Sequence, residues 1–142
     1  MTAPWTASVS RQPRIRVFLD RLAQAPPKSL LLEGGTAAAR LGLGLYWAAR
    51  LSCHEAEPPC GVCRICRQVA DDAFRDLVLV NGSEGAIAID TVREIRAMLG
   101  DPPAGRGPRV IILAEAQALG DAAANALLKS LEEPRLGNVF VL

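Results

Sequence analysis

The sequence predicts an α/β fold, a parallel sheet flanked by helices, and three observations carry the prediction. Val110, Ile111, Ile112 and Leu113 form an uninterrupted apolar run with a β-branched start, the composition of a strand buried on both faces. In the stretch that follows, Ala124, Leu127, Leu128 and Leu131 recur at i, i+3, i+4 and i+7, one apolar stripe of a helix. Short apolar runs and helical patterns then alternate along the chain, the order that builds a parallel sheet covered on both sides.

Residues 1–12 show little apolar periodicity and are expected to be mobile at the start. Ile15, Phe18, Leu19 and Leu22 give a helical stripe, closed by Pro26 and Pro27. Ser29–Glu33 is a short buried strand, and the Ala- and Leu-rich stretch Ala37–Leu51 a helix, although Gly42 and Gly44 should each weaken it by up to about 1 kcal/mol. Cys53–Cys66 breaks the pattern, and a short helix is expected over Cys66–Asp72. Asp76–Val80 is the next strand, followed by the polar, glycine-bearing loop Asn81–Gly85. Asp90 can cap a helix whose Val92, Ile95 and Leu99 face the core. A loop over 100–108 leads to the strand at 110, and Asp121 then stands at or beside a helix start, where a carboxylate suits the unpaired N–H groups. Pro134 ends that helix, and Asn138–Leu142 reads as a last strand.

A chain of 142 residues suits a single domain, here spanning 1–142. A strand at its very end implies more chain to cover the sheet, so the sequence reads as a fragment of a longer protein. Half the residues are hydrophobic and the formal net charge is +1, which gives no general electrostatic drive towards nucleic acid. The sixteen basic residues are fourteen Arg and two Lys, Lys28 and Lys129, a composition bias more than a phosphate-binding signature. No apolar run approaches the ~20 residues that span a bilayer. The first residues lack the charged-then-apolar order of a signal peptide, so a cytoplasmic location is expected.

The four cysteines are Cys53, Cys60, Cys63 and Cys66, spaced Cys-x6-Cys-x2-Cys-x2-Cys, within an insert at about 52–72. Four thiolates close a tetrahedral structural zinc site with no open position for chemistry, and Gly61 allows a tight turn between the second and third. Free thiols, disulfides or a redox Cys-x-x-Cys pair are the alternatives. A cytoplasmic setting disfavours disulfides, and one redox pair does not explain four cysteines in fourteen residues. His54, the single histidine, is expected on the surface and not as a ligand.

Asn125, Ala126, Leu127, Leu128, Lys129, Leu131, Glu132, Glu133 and Pro134, following the strand at 109–113, resemble the Walker B strand and next helix of the AAA+ clamp-loader family. The resemblance runs over roughly residues 10–142. It implies a P-loop NTPase core of the RecA-like, AAA+ kind with a small inserted four-cysteine zinc module between the first core helix and the second strand, as bacterial members carry. A working P-loop reads G-x-x-x-x-G-K-[ST]. Here Gly34 supplies the first glycine, but Ala39, Arg40 and Leu41 stand where the second glycine, the lysine and the magnesium-binding hydroxyl belong. Arg40 keeps a charge without being a like-for-like lysine, and Leu41 cannot bind metal. In the Walker B position Ala114 replaces the magnesium-steadying aspartate. Glu115 stands where the water-polarising glutamate would be; with no magnesium to serve, it is expected to be a helix-approach or surface residue.

What the resemblance therefore implies is a non-catalytic subunit, with no catalytic residue and no bound ATP, in a ring that loads a sliding clamp onto primed DNA. Its partners would be the motor (gamma or tau) and delta subunits and, through the complex, the clamp and the DNA. The arginine that such a subunit presents to its neighbour's ATP site lies in a Ser-Arg-Cys motif past residue 142. Two other readings stand beside it: an ATP-hydrolysing motor-type subunit with an unusual site, and a zinc-ribbon module touching nucleic acid through Arg64, Arg67 and Arg75. No aromatics are interleaved with those arginines to stack on bases.

Overall fold

A strand that is apolar on both faces needs cover on both sides, and the chain supplies it from two groups of helices. In the computed structural model, which describes residues 2–142, the elements run α1 (Thr6–Arg11), α2 (Pro13–Leu22), β1 (Ser29–Leu30), α3 (Ala37–Ser52), α4 (Arg64–Ala70), β2 (Leu77–Asn81), α5 (Ile89–Met98), β3 (Arg109–Ala114), α6 (Asp121–Glu132) and β4 (Asn138–Val141). The four strands form one parallel sheet in the order β1-β4-β3-β2, with Val78 opposite Ile111 and Ile112 opposite Val141. Alternation along β3 divides its side chains between two cores. Val110 and Ile112 join Leu43, Tyr46 and Trp47 of α3 on one face. Ile111 and Leu113 join Val92 and Ile95 of α5 and Leu127 of α6 on the other. The expected α/β class, with parallel strands and helices on both faces, is the observed one.

Several elements differ from expectation, each for a physical reason. The stretch of little periodicity holds a helix: α1 occupies Thr6–Arg11 and buries Trp5 and Val9 against the α3 core. Two apolar anchors four residues apart suffice for a short helix, yet make too weak a period to read. The first strand is shorter than Ser29–Glu33 and lies at the sheet edge, so Leu31 is 68% exposed. Pairing still runs on to Leu32, whose N–H donates to the Leu142 carbonyl at 2.7 Å. Phe18 of the α2 stripe is also exposed. Asp90 lies within the first turn of α5 and pairs with Arg93, while Ala88 holds the cap position. In α6 the buried residues are Ala123 and Leu127; Ala124 and Leu128 face solvent, so the stripe is rotated from the expected one.

At the entry ends of β2 and β3 two buried charges hold the loop 100–108. The Asp76 carboxylate accepts from the N–H groups of Ala104 and Gly105 at 2.7 and 2.8 Å. Arg109 donates to the carbonyls of Met98, Asp101 and Pro102 and to Asn138 Oδ1, all within 3.2 Å. The guanidinium also sits at the C-terminal end of α5, where the helix dipole favours a cation.

The two glycines of α3 prove to be packing residues of unlike kinds. A Cβ on Gly42 would strike Ser8 Oγ and lie 2.8 Å from Ser8 Cβ, so α1 can rest on α3 only because position 42 has no side chain. A Cβ on Gly44 would meet Ile112 methyls at 3.5 Å, ordinary contact. Gly42→Ala is therefore expected to destabilise by about 1–3 kcal/mol through overpacking, with partial relief in a Ser8→Gly background. Gly44→Ala should be neutral or stabilising, by up to about 1 kcal/mol of helix propensity. Urea unfolding of the three variants measures both, and equal losses for Gly42→Ala and Gly44→Ala would contradict this packing account.

Candidate functional site

Loops gathered at the carboxyl ends of parallel strands are where an α/β sheet places its site. Between β1 and α3 the chain turns through Gly34 and Gly35, at φ +78° and +62°, a left-handed backbone that favours glycine. Thr36 then caps α3, its hydroxyl accepting from the Ala39 N–H at 3.1 Å. Arg40, in the first turn of α3, points back over this loop. Its Nη1 donates to the carbonyls of Gly34 at 2.6 Å and Gly35 at 3.1 Å.

The rest of the guanidinium turns to the end of β3. Arg40 Nη2 and Nε donate to Glu115 Oε1 at 2.7 and 3.2 Å, and Gln117 Nε2 donates to Glu115 Oε2 at 2.6 Å. Glu115 leads into a 3-10 turn over Ala116–Ala118 and is no free surface carboxylate: its side chain is only 13% exposed. The hydrogen bonds from Arg40 and then Gln117 hold its carboxyl below the usual carboxylate range. Its backbone is left-handed, φ 55° and ψ 57°, which costs a non-glycine residue about 1–2 kcal/mol. The corner is set by a second close approach. A Cβ on Gly82 would strike the Glu115 carbonyl oxygen and lie 2.7 Å from Ala118 Cβ, so the loop after β2 packs directly on the Glu115 backbone.

Behind the ion pair lies a cleft of about 280 Å³, lined on its apolar side by Leu32, Leu41, Ile112, Ala114 and Val141. Of the residues read from the sequence, the fold brings together Gly34, Arg40, Leu41, Ala114 and Glu115 around this one cleft. Ala39 lies beside it and gives its N–H to the Thr36 cap. Gln117 and Gly82 were not anticipated. No periodicity or motif marks Gln117, and only the tertiary fold places Gly82 against Glu115.

The cysteines form the second constellation. Cys53 follows α3 directly, Gly61 takes φ +76° between Cys60 and Cys63, and Cys63 caps α4. The four Sγ atoms lie within 4.8 Å of one another, with Cys53 and Cys63 3.9 Å apart. Four sulfurs at ~2.3 Å from one tetrahedral ion stand about 3.8 Å apart, so the cluster can hold a metal after a small contraction. Backbone N–H groups of Val62 and Cys63 lower the Cys60 thiol to about 7, while burial pushes Cys53 and Cys66 up. His54 is exposed and outside the cluster. Arg64, Arg67 and Arg75 are exposed, as are Asp71 and Asp72, so this stretch carries both signs of charge. No helix among the described residues is long and apolar enough to cross a membrane.

Residues 14–142 match the family model described as DNA polymerase III, delta subunit. DNA polymerase III subunit delta' of Pseudomonas aeruginosa is 34% identical over 79% of this chain and 35% of its own length. The Bacillus subtilis delta' is 28% identical over the whole chain and 44% of its own length, and B. subtilis subunit tau is 30% identical over 77% of the chain and 19% of its own. The chain thus spans less than half the length of these relatives. In fold it is similar to a DNA polymerase III gamma subunit-related protein of Thermotoga maritima, at a TM-score of 0.66 and 24% identity, over 89% of this chain and 38% of that one.

The lowered proton affinity of Glu115 has a definite sign. The folded state binds that proton more weakly than the unfolded one, so the contribution is present above the unfolded carboxylate pKa, ~4.3, and lost as pH falls through the folded value. The stability difference between the native protein and Glu115→Gln should be largest near neutrality and shrink as pH falls below the ordinary carboxylate range. Urea unfolding across that range measures it; taking the difference cancels the acid sensitivity of the thiol cluster.

Proposed function

The chain belongs to the DNA polymerase III delta-subunit family, and on that footing we propose that it is the AAA+ domain of a bacterial clamp-loader subunit of the delta-prime kind, a partner in loading the sliding clamp onto primed DNA that does not itself hydrolyse ATP. What supports the non-catalytic reading is the engagement of Arg40. A phosphate-binding cation must be free to meet the ligand, whereas this guanidinium spends its donors on Glu115 and on the carbonyls of Gly34 and Gly35. Leu41 and Ala114, beside it, offer no side-chain oxygen to magnesium. Glu115 is taken up by its own arginine and by Gln117.

In this reading the domain is a fixed wall of a ring, in the cytoplasm. Its partners are the motor and delta subunits, and it reaches clamp and DNA through the assembly. A motor-type reading has one observation in its favour, the 30% identity to subunit tau. Titration with ATP and magnesium separates the two. We expect no saturable binding up to about 1 mM and no turnover above background, a range that covers ordinary enzyme affinities. Magnesium-dependent binding with turnover would transfer the chain to the motor class.

For the cysteine cluster we propose one structural zinc held by Cys53, Cys60, Cys63 and Cys66. Support comes from the donor set and the mutual reach of the sulfurs, and from the burial of Cys53 and Cys66 in the same core as Trp47 and Val69. A metal so placed would couple the insert to α3. Elemental analysis of reduced protein should return about one zinc per chain, lost in Cys66→Ala, and chelation should lower Tm by several degrees. Reduced native protein without zinc would sink the assignment.

A further inference from the structure

We propose that Arg40 and Glu115 form a built-in latch, in which the guanidinium fills the place of a ligand and holds the Gly34–Thr36 loop to the end of β3 in one conformation that no nucleotide sets. The proposal rests on the reading of the chain as a subunit that does not turn over ATP, and it adds how the abandoned site is kept in shape. A loop that wraps phosphates has its shape fixed by the anion; without one, two successive left-handed glycines would be among the freest backbone in the domain. Here four hydrogen bonds from one side chain span the gap. Two go to the loop carbonyls and two to a carboxylate 75 residues away in sequence.

The far end of the latch is itself braced. Gln117 donates to the other Glu115 oxygen, and the Glu115 carbonyl lies where a side chain at position 82 would be. The pair is also partly sheltered, with side chains 27% and 13% exposed, so water and salt weaken it less than a fully exposed pair. Lysine could not do the same. A single ammonium has three donors at one point and cannot bridge a carboxylate and two carbonyls in the fork geometry of a guanidinium.

Hydrogen exchange of the backbone amides tests the latch. In Arg40→Ala and in Glu115→Gln, amides of 34–40 and 115–118 should exchange about tenfold faster than in the native protein, while amides of β3 and β4 keep their rates and so report an intact fold. The double variant should exchange no faster than either single one, because both changes break the same link. Arg40→Lys should fall between native and Arg40→Ala, and Arg93→Ala, which removes an exposed ion pair elsewhere, should change nothing at either segment. Added ATP and magnesium should leave the native rates unaltered. Unchanged exchange at 34–40 on loss of Arg40, or additive effects in the double variant, would overturn the latch and leave the non-catalytic reading standing. Turnover of ATP by the native chain would instead overturn that reading.

Discussion

The double burial of β3 is the constraint on which the rest of the structure depends. Val110, Ile111, Ile112 and Leu113 are each no more than 2% exposed, and their alternation sends side chains into two separate cores. A strand so placed must have a paired neighbour on each edge and helices on each face, which fixes the central position of β3 between β2 and β4. It also fixes where its carboxyl end emerges, between the Gly34–Thr36 loop on one side and the loop after β2 on the other. Glu115, the second residue past that buried run, is delivered to the cleft as a consequence of packing. The chemistry of the cleft then depends on what meets it there, and in this chain that is Arg40.

The strands and long helices were legible because their signals are local: apolar runs for β2, β3 and β4, and a 3.6-residue period for α2 and α5. The cysteine cluster was legible for the same reason, since its spacing lies within fourteen residues. What could not be read depends on contacts between distant segments. That Arg40 would engage Glu115, and that Gly82 would lie against the Glu115 backbone, are facts of tertiary placement. Gly42 looked like a helix weakness and is the seat of α1, because local propensity says nothing about which helix will lie across it. The rotation of the α6 stripe has a related cause: Leu127 seats in one core with Val92 and Phe140, and Leu128 follows it outward despite an apolar side chain.

The insert is bound to the fold more closely than its place between α3 and β2 suggests. Cys53 ends α3, and Cys66 and Val69 of α4 lie in one apolar cluster with Trp47 and Trp5. The same cluster includes Val9 of α1, so the N-terminal helix, the cysteine module and the α3 face of the sheet are one packed body. Changes in any of the three are felt by the others through that shared core, because a core at native density has little room to adjust.

The opposite end of the sheet handles charge in another way. Asp76 and Arg109 are 2% and 7% exposed, yet neither is neutralised by the other: the carboxylate rests on two amide N–H groups, the guanidinium on backbone carbonyls and the Asn138 side chain. Each charge is balanced by peptide dipoles of the loop that it holds. Mobile ions cannot substitute for dipoles covalently fixed in a buried loop, whereas they compete with a partly open ion pair such as Arg40–Glu115. Ionic strength therefore divides the domain along its strands, leaving the Asp76–Arg109 end indifferent and reaching the cleft end first.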